Sequence, residues 1–199
     1  MIKREDFLKG MIDLKQTYTM EIAGLKRELT LYPVSETVSI AAFIMFGDVE
    51  ITKKCAEELL KRAPEHDILI TAESKGIPLL YEMARQENAD NYIVARKAPK
   101  VYMEDIITTA VDSITTANSQ TLCIGKTEID AIKGKRVLIV DDVISTGESL
   151  AAVEMLIEKA GGNIVGRMAV LAEGDAATRD DLIYLETLPL FHTDGTPLT

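Results

Sequence analysis

The fold of this chain is decided by the stretch Val137-Leu138-Ile139-Val140-Asp141-Asp142-Val143-Ile144-Ser145-Thr146-Gly147-Glu148-Ser149. Its four consecutive aliphatic residues predict a strand over Val137–Asp141 that is buried on both faces. Two adjacent carboxylates follow, and because burying them without partners is unfavourable, we expect them at the open end of a sheet. A short polar turn then leads into the clearest helix of the sequence, Glu148–Ala160, which Gly161 and Gly162 end.

The polar turn has the features of an anion site. Ser145 and Glu148 have the spacing of a capping box, so Ser145 is predicted to cap the helix. Gly147 would let the backbone approach a ligand closely, and the N–H groups at a helix start bind anions. Thr146 and Ser149 add hydroxyl donors to that of Ser145. With the two carboxylates just upstream, the segment suits a ligand that carries a phosphate and a pair of hydroxyls, such as ribose 5-phosphate.

Outward from this segment, short apolar runs alternate with amphipathic stretches. Helices are predicted at about 50–62 and 78–86, and strands at about 67–72, 91–95, 121–124 and 164–171. The polar, Thr-rich stretch 96–120 is predicted to be extended or mobile. Strands that alternate with helices predict an α/β fold, with a central parallel sheet flanked by helices. The functional loops of such a fold lie beyond the carboxyl ends of its strands.

The N-terminal part differs from this pattern. Residues 4–28 are rich in charge, and Phe7, Met11 and Leu14 lie on one face of a helix. We therefore predict one or two helices that precede the main fold.

The composition excludes several classes of function. A net charge of −10 disfavours a nucleic-acid partner, which needs cations to neutralise phosphates. Cys55 and Cys123 are the only cysteines and His66 and His192 the only histidines, so a disulfide framework or a zinc site is not expected. The sequence has neither a signal-peptide pattern at its start nor an apolar run long enough for a membrane span. We expect a cytoplasmic protein with no membrane partner.

Several motifs together resemble those of one enzyme family. The stretch 137–149 resembles the motif with which type I phosphoribosyltransferases bind 5-phosphoribosyl-1-pyrophosphate (PRPP). Thr71–Pro78 resembles the pyrophosphate-binding loop of adenine and xanthine phosphoribosyltransferases. Val94–Lys97 resembles the strand end that presents basic residues in the same enzymes, and Ala172–Arg179 resembles the loop near their base. The likeness covers most of residues 67–191, and the N-terminal third matches only loosely, around Leu31–Asp48.

The resemblance implies both an architecture and a reaction. A small hood would cover the base, so residues 1–48 are expected to form a helical extension and hood, and residues 49–199 the core. The enzyme would displace pyrophosphate from the anomeric carbon of PRPP with a purine base, adenine being favoured. Mg²⁺ would be bound mainly through PRPP, with no direct protein ligand. A basic residue near 96–100 would reach the site of the other subunit, which implies a homodimer.

The resemblance also assigns roles to residues. Asp141 and Asp142 are expected to be catalytic and to grip the sugar. The other candidates are Ser145, Thr146, Gly147, Glu148 and Ser149 for PRPP, Ser74, Lys75, Gly76, Arg96, Lys97 and Lys100 for pyrophosphate, and Glu173 for the base.

The sequence also departs from the family pattern. Lys75 stands where many adenine enzymes carry Arg, and Glu173 falls near a Lys of the xanthine enzymes. A carboxylate there would suit the amino group of adenine. The mobile loop of the adenine enzymes has no clear counterpart within 101–120, where Tyr102, Glu104 and Asp105 are candidates.

Two other functions stay open at this point. A PRPP-binding regulatory protein of the same fold would keep the PRPP segment and lack transferase activity. An acidic pair at a strand end also occurs in phosphoryl-transfer domains, but these need a distant phospho-acceptor Asp.

Overall fold

Strands and helices alternate along most of residues 16–111 and 120–198, which the computed structural model describes. The strands are β1 (Thr17–Ile22), β2 (Leu25–Pro33), β3 (Val38–Ala41), β4 (Ile68–Ala72), β5 (Ile93–Ala95), β6 (Ile107–Val111), β7 (Gln120–Ile124), β8 (Arg136–Ile144), β9 (Asn163–Glu173), β10 (Ile183–Leu188) and β11 (Phe191–His192). The helices are α1 (Val49–Leu60), α2 (Ile77–Gln86), α3 (Lys126–Ile132) and α4 (Glu148–Ala160), with a 3-10 helix at Gly174–Thr178.

The central sheet has five parallel strands in the order β10-β9-β8-β4-β5. This confirms the predicted parallel sheet, with β8 at its centre. The strand is longer than predicted, because Val143 and Ile144 continue the pairing with β9 beyond the two acids. Asp141 and Asp142 are therefore the last polar residues inside the strand and do not follow its end.

Helices flank the sheet on both faces, as the alternation predicts. Leu138 and Val140 of β8 pack into one apolar cluster with α1 and α2, whereas Val137 and Ile139 pack into a second cluster with α4. Successive side chains of a strand point to opposite faces, so the aliphatic run of β8 supplies both layers. Antiparallel strands β6 and β7 lie on the α4 side.

The N-terminal residues form a separate four-stranded antiparallel sheet, in the order β1-β2-β3-β11. The prediction of helix is wrong for residues 17–28, which form β1 and the first part of β2. Ala23 and Gly24, with φ of 51° and 80°, make the turn between these strands. Met20 and Ile22 are buried while Thr19 and Glu21 are exposed, a period of two that belongs to a half-buried strand. Phe7, Met11 and Leu14 lie outside the described residues.

The C-terminal strand completes this N-terminal sheet, since Phe191 pairs with Ser39 and its ring lies 4.9 Å from that of Tyr18. Cys55 and Cys123 are free and buried, as expected. Among residues 16–111 and 120–198, no helix combines the length and the apolar character that crossing a membrane requires.

Candidate functional site

Two acidic side chains meet near the carboxyl end of β8. Asp142 is 2% exposed, and its backbone N–H donates to Oδ1 of Asp141 over 2.9 Å. Burial and the neighbouring Asp142 carboxylate raise the pKa of Asp141 well above its ordinary range. A pair held in this way favours a bound proton or cation in the absence of a ligand.

Lys75 supplies a cation to this pair. It lies in the loop after β4, which pairs in parallel with β8, so both strands end at the same edge of the sheet. The Nζ atom of Lys75 donates to Oδ2 of Asp142 over 2.8 Å. The Asp142 side chain is 3% exposed and that of Lys75 is 48% exposed, so the lysine reaches from solvent to a buried carboxylate.

Gly76 allows the loop to approach the acids. A Cβ at this position would lie 2.3 Å from Oγ1 of Thr71 and 2.8 Å from Oδ1 of Asp141. Both contacts are shorter than side chains tolerate, so a larger residue would move the loop away from Asp141. Gly76 precedes α2, which has a proline in its first turn as predicted.

The turn between β8 and α4 has a different cap from the one predicted. The capping box is wrong: Gly147, with φ of 80°, is the N-cap, and α4 begins at Glu148. Because β8 continues to Ile144, Ser145 lies too early to cap, and its side chain is instead close enough to Glu173 to influence the pKa of that carboxyl. The helix amides of the predicted anion site still follow Gly147, which adopts a backbone conformation that L residues rarely take.

These elements enclose a cleft of about 270 Å³. It lies at the carboxyl ends of β4 and β8 and at the N-terminus of α4. The predicted site residues that line it are Ser74, Lys75, Lys97, Asp141, Asp142, Ser145, Thr146, Gly147, Glu148 and Ser149.

The basic segment after β5 is organised around Glu73. The backbone N–H of Lys97 donates to Oε2 of Glu73 over 3.0 Å, and Nε of Arg96 lies 3.3 Å from the same oxygen. The Lys97 amide, followed by the charges of Arg96, Lys100 and Lys97, lowers the pKa of Glu73. Arg96 and Lys100 thus lie beside the cleft without lining it. Nε of Arg96 is buried and has no hydrogen-bond partner among the described residues.

Glu173 lies at the end of β9, 8% exposed. Burial raises its pKa, while the nearby Ser145 side chain and the charge of Lys75 act in the opposite direction. The carboxylate is therefore close to both the polar turn and the loop after β4, although it does not line the cleft.

The three mobile-loop candidates lie elsewhere. The backbone carbonyl of Glu104 accepts from the N–H of Lys126 over 2.8 Å, which attaches this segment to the start of α3. Tyr102, Glu104 and Asp130 line a separate depression there, and Tyr102 is 72% exposed. The structure does not bring these candidates to the cleft.

Sequence reasoning assigned no role to two residues that touch the site. Glu73 was only part of a loop, although the basic pair at 96 and 97 pointed to a need for a carboxylate nearby. Arg179 ended a motif, but Nη1 of its guanidinium lies 3.4 Å from where a Cβ of residue 147 would be. No local sequence pattern predicts that contact, because it depends on where β9 ends relative to α4.

Comparison with known proteins places the chain among enzymes of one family. The family model "Phosphoribosyl transferase domain" matches residues 49–193. A hypoxanthine/guanine phosphoribosyltransferase from Methanococcus voltae is 31% identical over 150 residues, which are 75% of this chain and 73% of the relative. An adenine phosphoribosyltransferase from Acetivibrio thermocellus is 30% identical over 155 residues, or 74% of this chain and 84% of the relative.

A solved structure shares the fold. Adenine phosphoribosyltransferase from Saccharomyces cerevisiae, complexed with D-2,5-dideoxy-2,5-imino-altritol 1,6-bisphosphate and adenine, has a TM-score of 0.63. It is 24% identical, and the match covers 79% of this chain and 92% of that chain.

Proposed function

This chain belongs to the phosphoribosyl transferase domain family and is a purine-type phosphoribosyltransferase, that is, a pentosyltransferase; we propose that its preferred reaction joins adenine to the 5-phosphoribosyl group of PRPP and releases pyrophosphate. The observation that supports the reaction with PRPP is the cleft in which Asp141 and Asp142 lie with the start of α4 while Lys75 enters from the adjacent loop, and the preference for adenine depends on Glu173.

Each end of this cleft suits one part of PRPP. Amides that follow Gly147 would hold the 5-phosphate, with the helix dipole and the hydroxyls of Thr146 and Ser149 adding to the attraction. The carboxylates of Asp141 and Asp142 would accept hydrogen bonds from the 2- and 3-hydroxyls of the ribose. Because the burial that raises the pKa of Asp141 also favours its protonated form, the ligand must supply donors or charge that keep this acid ionised.

The pyrophosphate would lie at the other end, near Ser74, Lys75 and Lys97. Cations there stabilise the charge that develops on the leaving group, and positioning brings the base to the anomeric carbon. No nucleophilic side chain is needed for such a displacement. Arg96 and Lys100, beside Glu73, would strengthen the positive potential of this end, and in a homodimer one of them would reach the other subunit.

The residues of the cleft are compatible with Mg²⁺. This ion prefers oxygen ligands, keeps several waters and takes few ligands from the protein. Asp141 and Asp142 supply carboxylate oxygens at the sugar end, so they would meet the ion through the sugar or through water, while PRPP supplies most of its oxygen ligands. When bound, Mg²⁺ neutralises phosphate charge and so favours departure of pyrophosphate.

One feature favours adenine, and a second favours a purine base of any kind. The buried Glu173 carboxylate accepts hydrogen bonds, and the 6-amino group of adenine donates them. Exposed Ile44 and Phe46 lie in the segment before α1, which runs towards β4 and therefore begins at the cleft edge of the sheet. They would give the hood an apolar surface for the base. The enzyme is expected to act in the cytoplasm, where its substrates are made.

The test is an assay of the purified protein with PRPP, Mg²⁺ and each of adenine, guanine, hypoxanthine and xanthine, with released pyrophosphate as the readout. We expect turnover with adenine to be fastest. The double variant Asp141→Asn, Asp142→Asn should lose activity, whereas Asp130→Asn, an exposed acid paired with Lys126 on α3, should keep it. Faster turnover with another base would overturn the adenine preference. Tight PRPP binding without turnover on any base would instead identify a regulatory protein.

A further inference from the structure

The guanidinium of Arg179 lies against the turn that opens α4. An ideal Cβ on Gly147 would be 3.4 Å from its Nη1 atom, so the guanidinium would be in van der Waals contact with a side chain at position 147. Gly147 is the N-cap of α4, and the amides after it form the proposed 5-phosphate site. A permanent cation is thus placed beside the turn that would hold a dianionic group.

Ion pairs hold this guanidinium in a fixed orientation. Nε of Arg179 donates to Oδ1 of Asp181 over 2.9 Å, and Nη2 donates to Oδ2 over the same distance. This bidentate pairing uses one edge of the fork and directs Nη1 towards Gly147. The side chain is 35% exposed, so the pair is shielded from solvent on part of its surface.

A second arginine connects the same carboxylate to α4. Nε of Arg167 lies 3.4 Å from Oδ2 of Asp181 and also donates to the Glu154 carboxylate. Glu154 belongs to α4, the helix whose first turn Arg179 flanks. Arg179 is therefore connected to that helix through Asp181 and Arg167. These contacts restrict the position of its guanidinium.

The backbone around Arg179 is also anchored. Its N–H donates to the carbonyl of Ala176 over 3.3 Å, and the hydroxyl of Tyr184 donates to the carbonyl of Ala177 over 3.1 Å. The 3-10 helix Gly174–Thr178 follows β9 directly, so the segment that carries Arg179 begins at Glu173. One short segment thus joins the proposed base contact to the phosphate turn.

We propose that Arg179 is a positioning residue for the 5-phosphate: its guanidinium holds the Thr146–Gly147 turn in the phosphate-binding conformation and adds positive charge beside it. This inference rests on the proposed function, because it needs the turn to bind the phosphate of a phosphoribosyl ligand. The arginine acts on the turn itself and does not replace the amides, which remain the direct donors.

The experiment measures the dissociation constants of ribose 5-phosphate and of pyrophosphate by calorimetry. The variants are Arg179→Gln, which removes the charge, and Arg179→Lys, which keeps it without the fork. Arg136→Gln is the control, since Nε and Nη2 of Arg136 also donate to an aspartate, Asp67, at the opposite end of β8. Thermal unfolding of each variant shows whether it is folded.

We expect Arg179→Gln to raise the dissociation constant for ribose 5-phosphate about tenfold, and Arg179→Lys about threefold, because charge-assisted contacts lose part of their strength in each. Binding of pyrophosphate, at the other end of the cleft, should be unchanged, and Arg136→Gln should bind both ligands as the wild type does. Selective loss of ribose 5-phosphate binding is a result that general damage to the fold does not give.

Two results overturn the inference: ribose 5-phosphate affinity in Arg179→Gln equal to that of Arg136→Gln, or an equal loss for both ligands. If the glutamine variant does not fold, unchanged affinity in Arg179→Lys has the same meaning. A wild-type protein that binds no ribose 5-phosphate contradicts the proposed function instead, so the two failures are distinguishable.

Discussion

Nζ of Lys75 lies 2.8 Å from Oδ2 of Asp142, which pairs the cation expected to meet pyrophosphate with a carboxylate expected to hold the sugar. Without ligand, the pair offsets the charge of an acid whose side chain is only 3% exposed. If PRPP binds as proposed, its phosphate groups attract Lys75 and its hydroxyls donate to Asp142. We therefore expect binding of the ligand to exchange one internal ion pair for two contacts with the substrate.

Removal of the Lys75 side-chain charge should affect both the stability of the fold and the binding of pyrophosphate. We expect Lys75→Met to lower the free energy of unfolding by about 1–2 kcal/mol at pH 8, because a buried carboxylate loses its partner while half of the lysine was already in solvent. The same variant should bind pyrophosphate at least about tenfold more weakly. Urea unfolding and calorimetry are the measurements.

Lys54 provides the control, since it pairs with Glu57 on the exposed face of α1. Lys54→Met should change the free energy of unfolding by less than about 0.5 kcal/mol. Equal effects of Lys54→Met and Lys75→Met on stability would show that Asp142 gains nothing from Lys75.

The acid at position 141 should make stability depend on pH. Its pKa is raised in the folded state by burial and by the Asp142 carboxylate, so the folded protein binds more protons than the unfolded chain between about pH 4 and the raised value. The protonated Asp141 carboxyl therefore contributes to the free energy of unfolding at the low-pH end of this window, and the contribution is lost as pH rises. The Asp141→Asn variant lacks this pH-dependent contribution. Its stability relative to the wild type should therefore increase from pH 5 to pH 8.

Thermal unfolding of both proteins at pH 5 and pH 8, without ligand, measures this difference. The comparison cancels the titration of all groups that the two proteins share. A difference between variant and wild type that does not change with pH, or that shrinks towards pH 8, is incompatible with a raised pKa of Asp141.

The contacts of Glu73 predict a separation between two substitutions. Glu73→Gln keeps an oxygen that can accept from the Lys97 amide, 3.0 Å away in the structure, but removes the charge opposite Arg96. Glu73→Ala removes both. We expect Glu73→Ala to weaken pyrophosphate binding by about tenfold and Glu73→Gln by less, because the position of Lys97 depends on the amide contact.

Pyrophosphate titrations of both variants measure the effect, and Glu57→Ala on the exposed face of α1 is the control. If Glu73→Gln weakens binding as strongly as Glu73→Ala, the charge next to Arg96 decides the result and the amide contact does not.

The sequence predicted those parts of the fold whose signals are local and strong. The aliphatic run in β8 and the apolar face of α4 were sufficient to predict this strand and this helix, since few other structures would bury such residues. The N-terminal hairpin was missed although its signal was present. Met20 and Ile22 alternate with polar residues, but the helical interpretation of residues 4–28 was applied to them as well.

The remaining differences have tertiary causes. Ser145 and Glu148 match a capping box, but pairing of Ile144 with β9 extends the strand and moves the cap to Gly147. Likewise, β11 consists of only Phe191 and His192, and it is a strand because β3 offers an edge for it. Neither outcome can be read from residues close in sequence. The cleft itself was predictable, because parallel strands bring the ends of β4 and β8 together.

We expect Glu173 to determine which base the enzyme prefers. The carboxylate lies at the end of β9, buried and near Ser145, so it is poorly solvated. An acceptor of this kind favours a base edge with an amino donor and disfavours a carbonyl oxygen, because the latter leaves two acceptors facing each other without a proton. We expect Glu173→Ala to lower kcat/KM for adenine about tenfold to hundredfold and to change the values for hypoxanthine and xanthine much less.

Burial raises the pKa of Glu173, so acidification should protonate it in the wild type and reduce the preference for adenine, as Glu173→Ala does. Glu186→Ala, on the neighbouring strand β10 and exposed, is the matched control. An unchanged ranking of adenine, guanine, hypoxanthine and xanthine in Glu173→Ala would remove Glu173 from the base site and leave the selection of base to the hood.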